Sequence, residues 1–338
     1  MLPARLHTAV REAVDPWGTM NIRWGRRFGA CVFASVSLLA IECGGGISVA
    51  VAQTADSVGT QMPLPSLGQV NTPDPYHELE TKYIFGFTEG ADIGAEGEKS
   101  IEFETTTASG LRGGTYAALE QEVEFEGVPT QNFGYELSAH GLGFSVNDVP
   151  GMPDAHGFNF SGLSAEFRYL LIGRGPGSPI GLTVVAEPEW ARIDDGGQPI
   201  TDFNMTFRGI LDTELIPNRL YAATNVFYTP DYSQAPGEPW GWSAEYGISG
   251  ALAYRFTPKL TMGAEIEYDA AYDGAGVQSF QGQALYLGPT LHIQFNGHMM
   301  LAAAWSTQVA GHATGENFGL DLTNFPHQQG NLKFEIEF

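Results

Sequence analysis

Cysteine is almost absent from this 338-residue chain: only Cys31 and Cys43 occur, both within the first 52 residues. A disulfide framework for the remainder is thereby excluded. Basic residues are scarce too, 16 Lys and Arg against 39 Asp and Glu, giving a formal net charge of -23. Nucleic acid, which is gripped through clustered Lys and Arg, is excluded as a partner. Charged residues of either sign reach only 16%, against about 25% in an average chain. After residue 52 no run approaches the roughly eighteen apolar residues of a membrane-crossing helix. What is plentiful is glycine, 43 residues, and aromatics, 12%, within a hydrophobic fraction of 43%. That fraction excludes disorder of the low-hydrophobicity kind. The question is where so many acids go in a chain so poor in other charges.

Residues 1–52 have the layout of an export signal. Arg23, Arg26 and Arg27 form a basic stretch, Ala30 to Ile41 an uncharged and mostly apolar run, and Ala50-Val51-Ala52 a small-x-small cleavage pattern. Cleavage after Ala52 is expected to remove both cysteines and leave a net charge of about -25. The expected organisation is a cleaved signal peptide (1–52), a flexible lead (53–97) and a β domain (98–338). The lead carries Pro63, Pro65, Pro73 and Pro75, and either stays in the periplasm or enters the domain as a plug.

From Glu98 onward the hydrophobic period is two. In Thr115 to Gly127 the odd positions read Ala117, Leu119, Gln121, Val123 and Phe125, whereas Glu120, Glu122, Glu124 and Glu126 share the even ones. A helix would scatter these acids; a strand puts them on one side. The same pattern yields twelve expected strands, near 98–108, 114–127, 132–146, 158–172, 180–192, 202–215, 218–229, 240–256, 259–273, 280–296, 298–310 and 330–338. Most exceed the roughly 9–11 residues that a tilted strand needs to cross a bilayer. Tight connections alternate with longer ones. An even strand count with that alternation matches bacterial outer-membrane barrels. The expected fold is therefore all-β: a transmembrane antiparallel up-and-down barrel of about twelve strands, with both termini periplasmic.

In that register no Asp or Glu falls on the apolar side of any strand. The expected lumen residues, which would set selectivity, are Glu102, Glu104, Glu120, Glu122, Glu124, Glu136, Glu166, Arg168, Glu187, Arg208, Glu265, Glu267 and Asp269. Arg255 and Lys333 share the inward parity. Rows of carboxylates favour cations in pores.

At the terminus, Leu332, Phe334, Ile336 and Phe338 alternate with Lys333, Glu335 and Glu337. This resembles the signature read by the barrel-assembly machinery, a final aromatic preceded by alternating hydrophobes. Tyr83 to Glu98 (YIFGFTEGADIGAEGE) with Lys99-Ser100-Ile101-Glu102 resembles the opening of uncharacterised outer-membrane families associated with phenol-degradation gene clusters. That resemblance implies passage of aromatic or hydrophobic compounds.

Enzyme motifs fail on context. Gly173-Arg174-Gly175-Pro176-Gly177 does not open a helix, as a dinucleotide loop must, and reads as a turn. Ser138 and His140, two apart on one strand, read as polar lumen lining, and Asp92-Ile93-Gly94 with Glu96 and Glu98 as a Gly-rich turn rather than a calcium loop. The expectation is a non-enzymatic channel or transporter for small solutes, embedded in outer-membrane lipid, with an acidic, cation-favouring lumen and neither cofactor nor metal. The alternatives are a non-conducting structural or adhesion barrel and a transporter of hydrophobic compounds.

Overall fold

Period-two alternation of β-branched, aromatic and small apolar residues with polar ones builds twelve antiparallel strands. They are β1 (Lys99–Ser109), β2 (Thr115–Thr130), β3 (Phe133–Asn147), β4 (Ala155–Ile172), β5 (Ile180–Ile193), β6 (Pro199–Ile216), β7 (Leu220–Gln234), β8 (Gly241–Thr257), β9 (Leu260–Asp273), β10 (Ser279–Asn296), β11 (Met299–Ala313) and β12 (Gln328–Glu337). The structure is a computed structural model describing residues 79–175 and 178–338. The expected signal peptide and the first part of the lead lie outside the described residues. Each strand pairs with its sequence neighbours, and β1 closes on β12. Closure leaves no sheet edge unpaired.

The connections differ at the two ends. Residues 131–132, 217–219, 258–259 and 297–298 make short turns at one end, together with 173–179, where Gly175 and Ser178 pair with each other. The other end carries the remaining loops, of which 314–327 is the longest. Both ends of the barrel chain meet at the short-turn end, where the Phe338 N–H donates to the Lys99 carbonyl at 2.9 Å.

Outward positions carry large apolar side chains that stay half-exposed, such as Leu137 at 51% and Leu252 at 52%. A continuous belt of this kind far exceeds the apolar patch of a water-soluble domain and suits lipid. Among the described residues no helix is long and apolar enough to cross a membrane; the strands make the crossing. Toward the long-loop end of β6–β10, Phe203, Tyr232, Trp240 and Trp242 stack with centroids 4.6–6.3 Å apart, and Tyr228, Tyr246, Tyr272 and Phe280 continue the band. Such a band matches the interfacial level of a bilayer.

β4 departs from strict alternation. Counting back from Glu166 and Arg168 would send Phe158 and Phe160 inward, yet both are outward, at 62% and 45% exposure. A bulge explains this: the β3–β4 register slips between His140 and Gly141, and the extra residue reverses the parity beyond it. The Phe158 ring then covers Gly141, where an added Cβ would lie 2.7 Å from its Cζ.

Candidate functional site

The pleat turns every expected lumen residue inward. Glu102 and Glu104 come from β1, Glu120, Glu122 and Glu124 from β2, Glu136 from β3, Glu166 and Arg168 from β4, Glu187 from β5, Arg208 from β6, and Glu265, Glu267 and Asp269 from β9. All are buried except Glu120, which is half-buried. The ladder register sets carboxylates side by side: Glu102 opposite Glu124, Glu104 opposite Glu122, Glu136 opposite both Glu126 and Glu166. Like charges directly opposite repel, so the wall needs compensation. The Lys333 ammonium supplies part of it, 2.9 Å from both Glu102 and Glu104. His140 lies against the same row, with Nδ1 3.2 Å from Glu120 and 3.6 Å from Glu122, and Nε2 3.0 Å from the Ser164 hydroxyl.

The rest comes from a segment that is not part of the wall. Residues 79–94 run inside the barrel at its short-turn half, and the exposed residues 95–97 lead out to β1. Lys82 Nζ lies 2.6 Å from both Glu126 and Glu136. Burial pulls the Lys82 ammonium down, but the two carboxylates outweigh it and hold its pKa well above the usual lysine value. Ile84 and Phe85 pack on Tyr221, Ala223, Ala251 and Ala253, while Tyr83 packs on Met300 and Ala302. The chain turns at Gly86, whose φ of 92° and close approach to Thr290 and Ala304 admit no side chain.

Past that turn the contacts become polar again. Thr88 donates its N–H to Glu265 at 3.0 Å, and its hydroxyl to Ser249 at 2.9 Å. Glu89 bridges two buried wall arginines, Arg168 at 2.5 Å and Arg208, while its backbone exchanges two 2.8 Å hydrogen bonds with the Asn225 amide. Asp92 accepts from the Thr81 N–H at 2.8 Å and pairs with Arg174 of the 173–179 turn at 3.0 Å. The Asp92 carboxylate is thus engaged by protein donors.

Lys82, Glu89, Asp92 and Arg174 are the site residues that sequence reasoning missed. The available signal was Lys82, the one base between residues 53 and 98, followed directly by the apolar Tyr83-Ile84-Phe85.

At the other mouth, the 314–327 loop folds back onto the wall. Gln308 exchanges hydrogen bonds with Asp321 at 2.6 and 3.0 Å, Tyr286 donates to the Pro326 carbonyl at 2.7 Å, and Phe325 packs on Ala284 and Tyr286. Between this mouth and the inner segment lies a cavity of about 80 Å³, bounded by Gly86, Phe87 and Glu89 on one side and by β1, β2 and β12 on the other.

A family model described as a family of unknown function (DUF6662) matches residues 77–338, from the start of the inner segment to the last residue. No curated protein matches the sequence. Solved structures of similar shape include an outer membrane channel from Pseudomonas putida F1, at 11% identity and TM-score 0.46, covering 73% of this chain and 98% of that one. The KdgM porin in complex with disordered oligogalacturonate gives 11% and 0.41, with 71% and 99% coverage. The β domain of the Bordetella autotransporter BrkA gives 12% and 0.48, with 72% and 100% coverage. The likeness to families associated with phenol degradation is not carried by these comparisons.

Proposed function

The chain belongs to the DUF6662 family, which has no assigned function, and from its lumen we propose that it is an outer-membrane channel for small solutes, closed at rest by residues 79–98. The observation that carries this reading is the interface of that segment. A purely structural filler would be held by an apolar core. Here the grip is also ionic and hydrogen-bonded, through Lys82 and Glu89 on wall residues of opposite charge and Asp92 on Arg174 of the 173–179 turn. Such groups are rehydrated when the segment leaves, which lowers the cost of opening relative to apolar packing.

The vacated lumen would be strongly acidic, and rows of Asp and Glu favour cations. We place the short turns and both barrel termini in the periplasm, as the export signal and the short-turn pattern support. Leu332 and Ile336 face outward and Phe338 is 64% exposed, so the terminal stripe is available to an assembly factor.

Catalysis draws no support from the one contact that resembles a triad, Ser164–His140–Glu120. Ser164 sits within a strand paired on both sides, opposite Ser138 and Glu189, and not on a turn or helix N-terminus that would aim backbone N–H groups at an oxyanion. The β1–β12 seam offers no lateral opening: its ladder runs unbroken from Ser100 to Ser109.

Planar-bilayer recording tests the proposal. Deleting residues 79–97 should convert rare, brief openings into steady conductance with a cation-selective reversal potential. Changing Glu120, Glu122 and Glu124 to Gln in that background should reduce the selectivity. The filled lumen also favours a second reading, a non-conducting structural barrel, which is the conclusion if neither form conducts.

A further inference from the structure

We propose that the cavity between the inner segment and the long-loop mouth is a binding site for a small organic cation, a primary ammonium bearing a few carbons. The inference deepens the channel reading by naming a solute class, and rests on it only for the route of entry.

Charge is the first ground. The cavity is lined by five acids, among them Glu120, Glu122 and Asp195, and by two bases, Arg208 and Lys333. Both bases are already committed. Lys333 spans Glu102 and Glu104, and Arg208 lies against Glu89, Glu166 and Glu187. An incoming anion would have to break these pairs, whereas a cation adds to an acidic wall without breaking any.

An independent ground is Gln329. Its side chain lines the cavity at 2% exposure, and neither amide atom makes a hydrogen bond of normal geometry, although the Tyr286 hydroxyl is near. A buried amide in that condition is costly. The carbonyl oxygen of Gln329 is an acceptor suited to an N–H donor, and binding would relieve the cost.

Size and lining set the rest. About 80 Å³ is well below the roughly 300 Å³ at which pockets begin to hold drug-sized ligands, so a sugar or a fused aromatic is too large. Phe87, Ala118 and Leu142 line the same cavity and offer apolar contact for a short alkyl chain. An aromatic face also attracts a cation. A bare metal ion would use the carboxylates and leave this apolar side unused.

The test is calorimetric titration of the full chain in detergent micelles with n-butylammonium, n-butanol and butyrate. We expect saturable one-to-one binding of n-butylammonium, with n-butanol and butyrate at least tenfold weaker. Glu120→Gln should weaken n-butylammonium about tenfold and Gln329→Leu severalfold, both variants keeping the gel mobility of the folded barrel. If Gln329→Leu does not fold, Gln329→Glu should instead strengthen binding at least threefold.

Equal binding of n-butanol, no saturable binding to the wild-type chain, or affinity unmoved by the substitutions overturns the assignment. Binding without conductance in the deletion variant supports this site and removes the channel reading. Conductance without binding overturns the site and keeps the channel.

Discussion

Replacing Glu89 is the sharpest way to ask whether the inner segment is a releasable part or a fixed core. Its carboxylate is shared by Arg168 and Arg208, both nearly inaccessible to solvent. Removing one partner of a buried ion pair costs roughly 3–5 kcal/mol, mostly because a charge is left stranded. Here the stranding is partial, since Glu166 stays 3.0 Å from Arg168 and Glu187 3.9 Å from Arg208. Glu89→Ala should therefore sit at the low end, about 3 kcal/mol. At about 1.4 kcal/mol per decade that is roughly a 150-fold rise in the undocked population. Glu89→Gln, which keeps shape and one acceptor oxygen, should cost about 2 kcal/mol, the loss of a charged hydrogen bond.

Hydrogen exchange reads this directly. The Glu89 N–H is bonded to Asn225 and the Gly90 N–H to the Lys82 carbonyl, so both exchange only when the segment opens. In Glu89→Ala they should exchange about two decades faster, while amides of the β5–β6 ladder keep their protection. Loss of protection throughout the barrel would show that Glu89 supports the whole fold. Unchanged exchange at both amides would show that the arginines do not hold the segment. Either result refutes the reasoning.

Other parts of the structure give further expectations. Lys82→Met leaves the Glu126–Glu136 pair without its bridging ammonium and should speed exchange of residues 81–90 at neutral pH. Because the Lys82 pKa is raised on docking, its contribution is complete below the ordinary lysine value and is lost only as pH climbs through the raised one. Lys82 itself should thus add no pH dependence to docking between about pH 6 and 9. Asp321 behaves differently. Burial raises its carboxyl above the usual range despite hydrogen bonds from Asn324, so the docked 314–327 loop is favoured in acid and weakens as pH rises through that value. Asp321→Asn should abolish this pH dependence of loop exchange. Deleting Phe338 removes an exposed ring and should lower outer-membrane levels in cells. The midpoint of the refolded protein should stay within about 0.5 kcal/mol of wild type, as for a typical surface change.

The barrel was legible because one physical rule governs it. A strand buried in lipid on one side and facing a polar lumen on the other must alternate, so Glu120, Glu122 and Glu124 declare their face by spacing alone. Phe158 and Phe160 were not legible, because the bulge that turns them outward is a property of pairing with β3, not of the β4 sequence. The inner segment was legible only as one of two alternatives. Its apolar Tyr83-Ile84-Phe85 beside a lone Lys82 indicates a buried destination. Nothing in sequence spacing, however, links Glu89 to Arg168 and Arg208, 79 and 119 residues away. Ion pairs across a lumen are set by barrel closure and carry no local signature.

The acidity that dominates the composition is spread unevenly along the barrel axis. The inward wall bases Arg168, Arg208, Arg255 and Lys333 lie in the middle or short-turn half of their strands, and Lys82 joins them there from within the lumen. Toward the long-loop end the inward and buried wall charges include Glu189, Asp202, Asp231 and Asp269, with Asp194 and Asp195 in the loop between β5 and β6. Repulsion among such acids costs stability that a purely structural barrel would shed by substituting Gln or Thr, as it does at Thr183, Thr206 and Gln308, which are inward and buried. The retained acids leave the long-loop side of the lumen more acidic than the level of the inner segment, where Lys82, Arg168, Arg208 and Lys333 pair with carboxylates. On the proposed channel reading, a cation would be drawn in as far as the cavity and would meet Lys82 and the wall arginines beyond it. The segment is thus a steric barrier: its own charges are mostly acidic, Glu80, Glu89, Asp92, Glu96 and Glu98 against Lys82, and its release would open the path while uncovering Arg168 and Arg208.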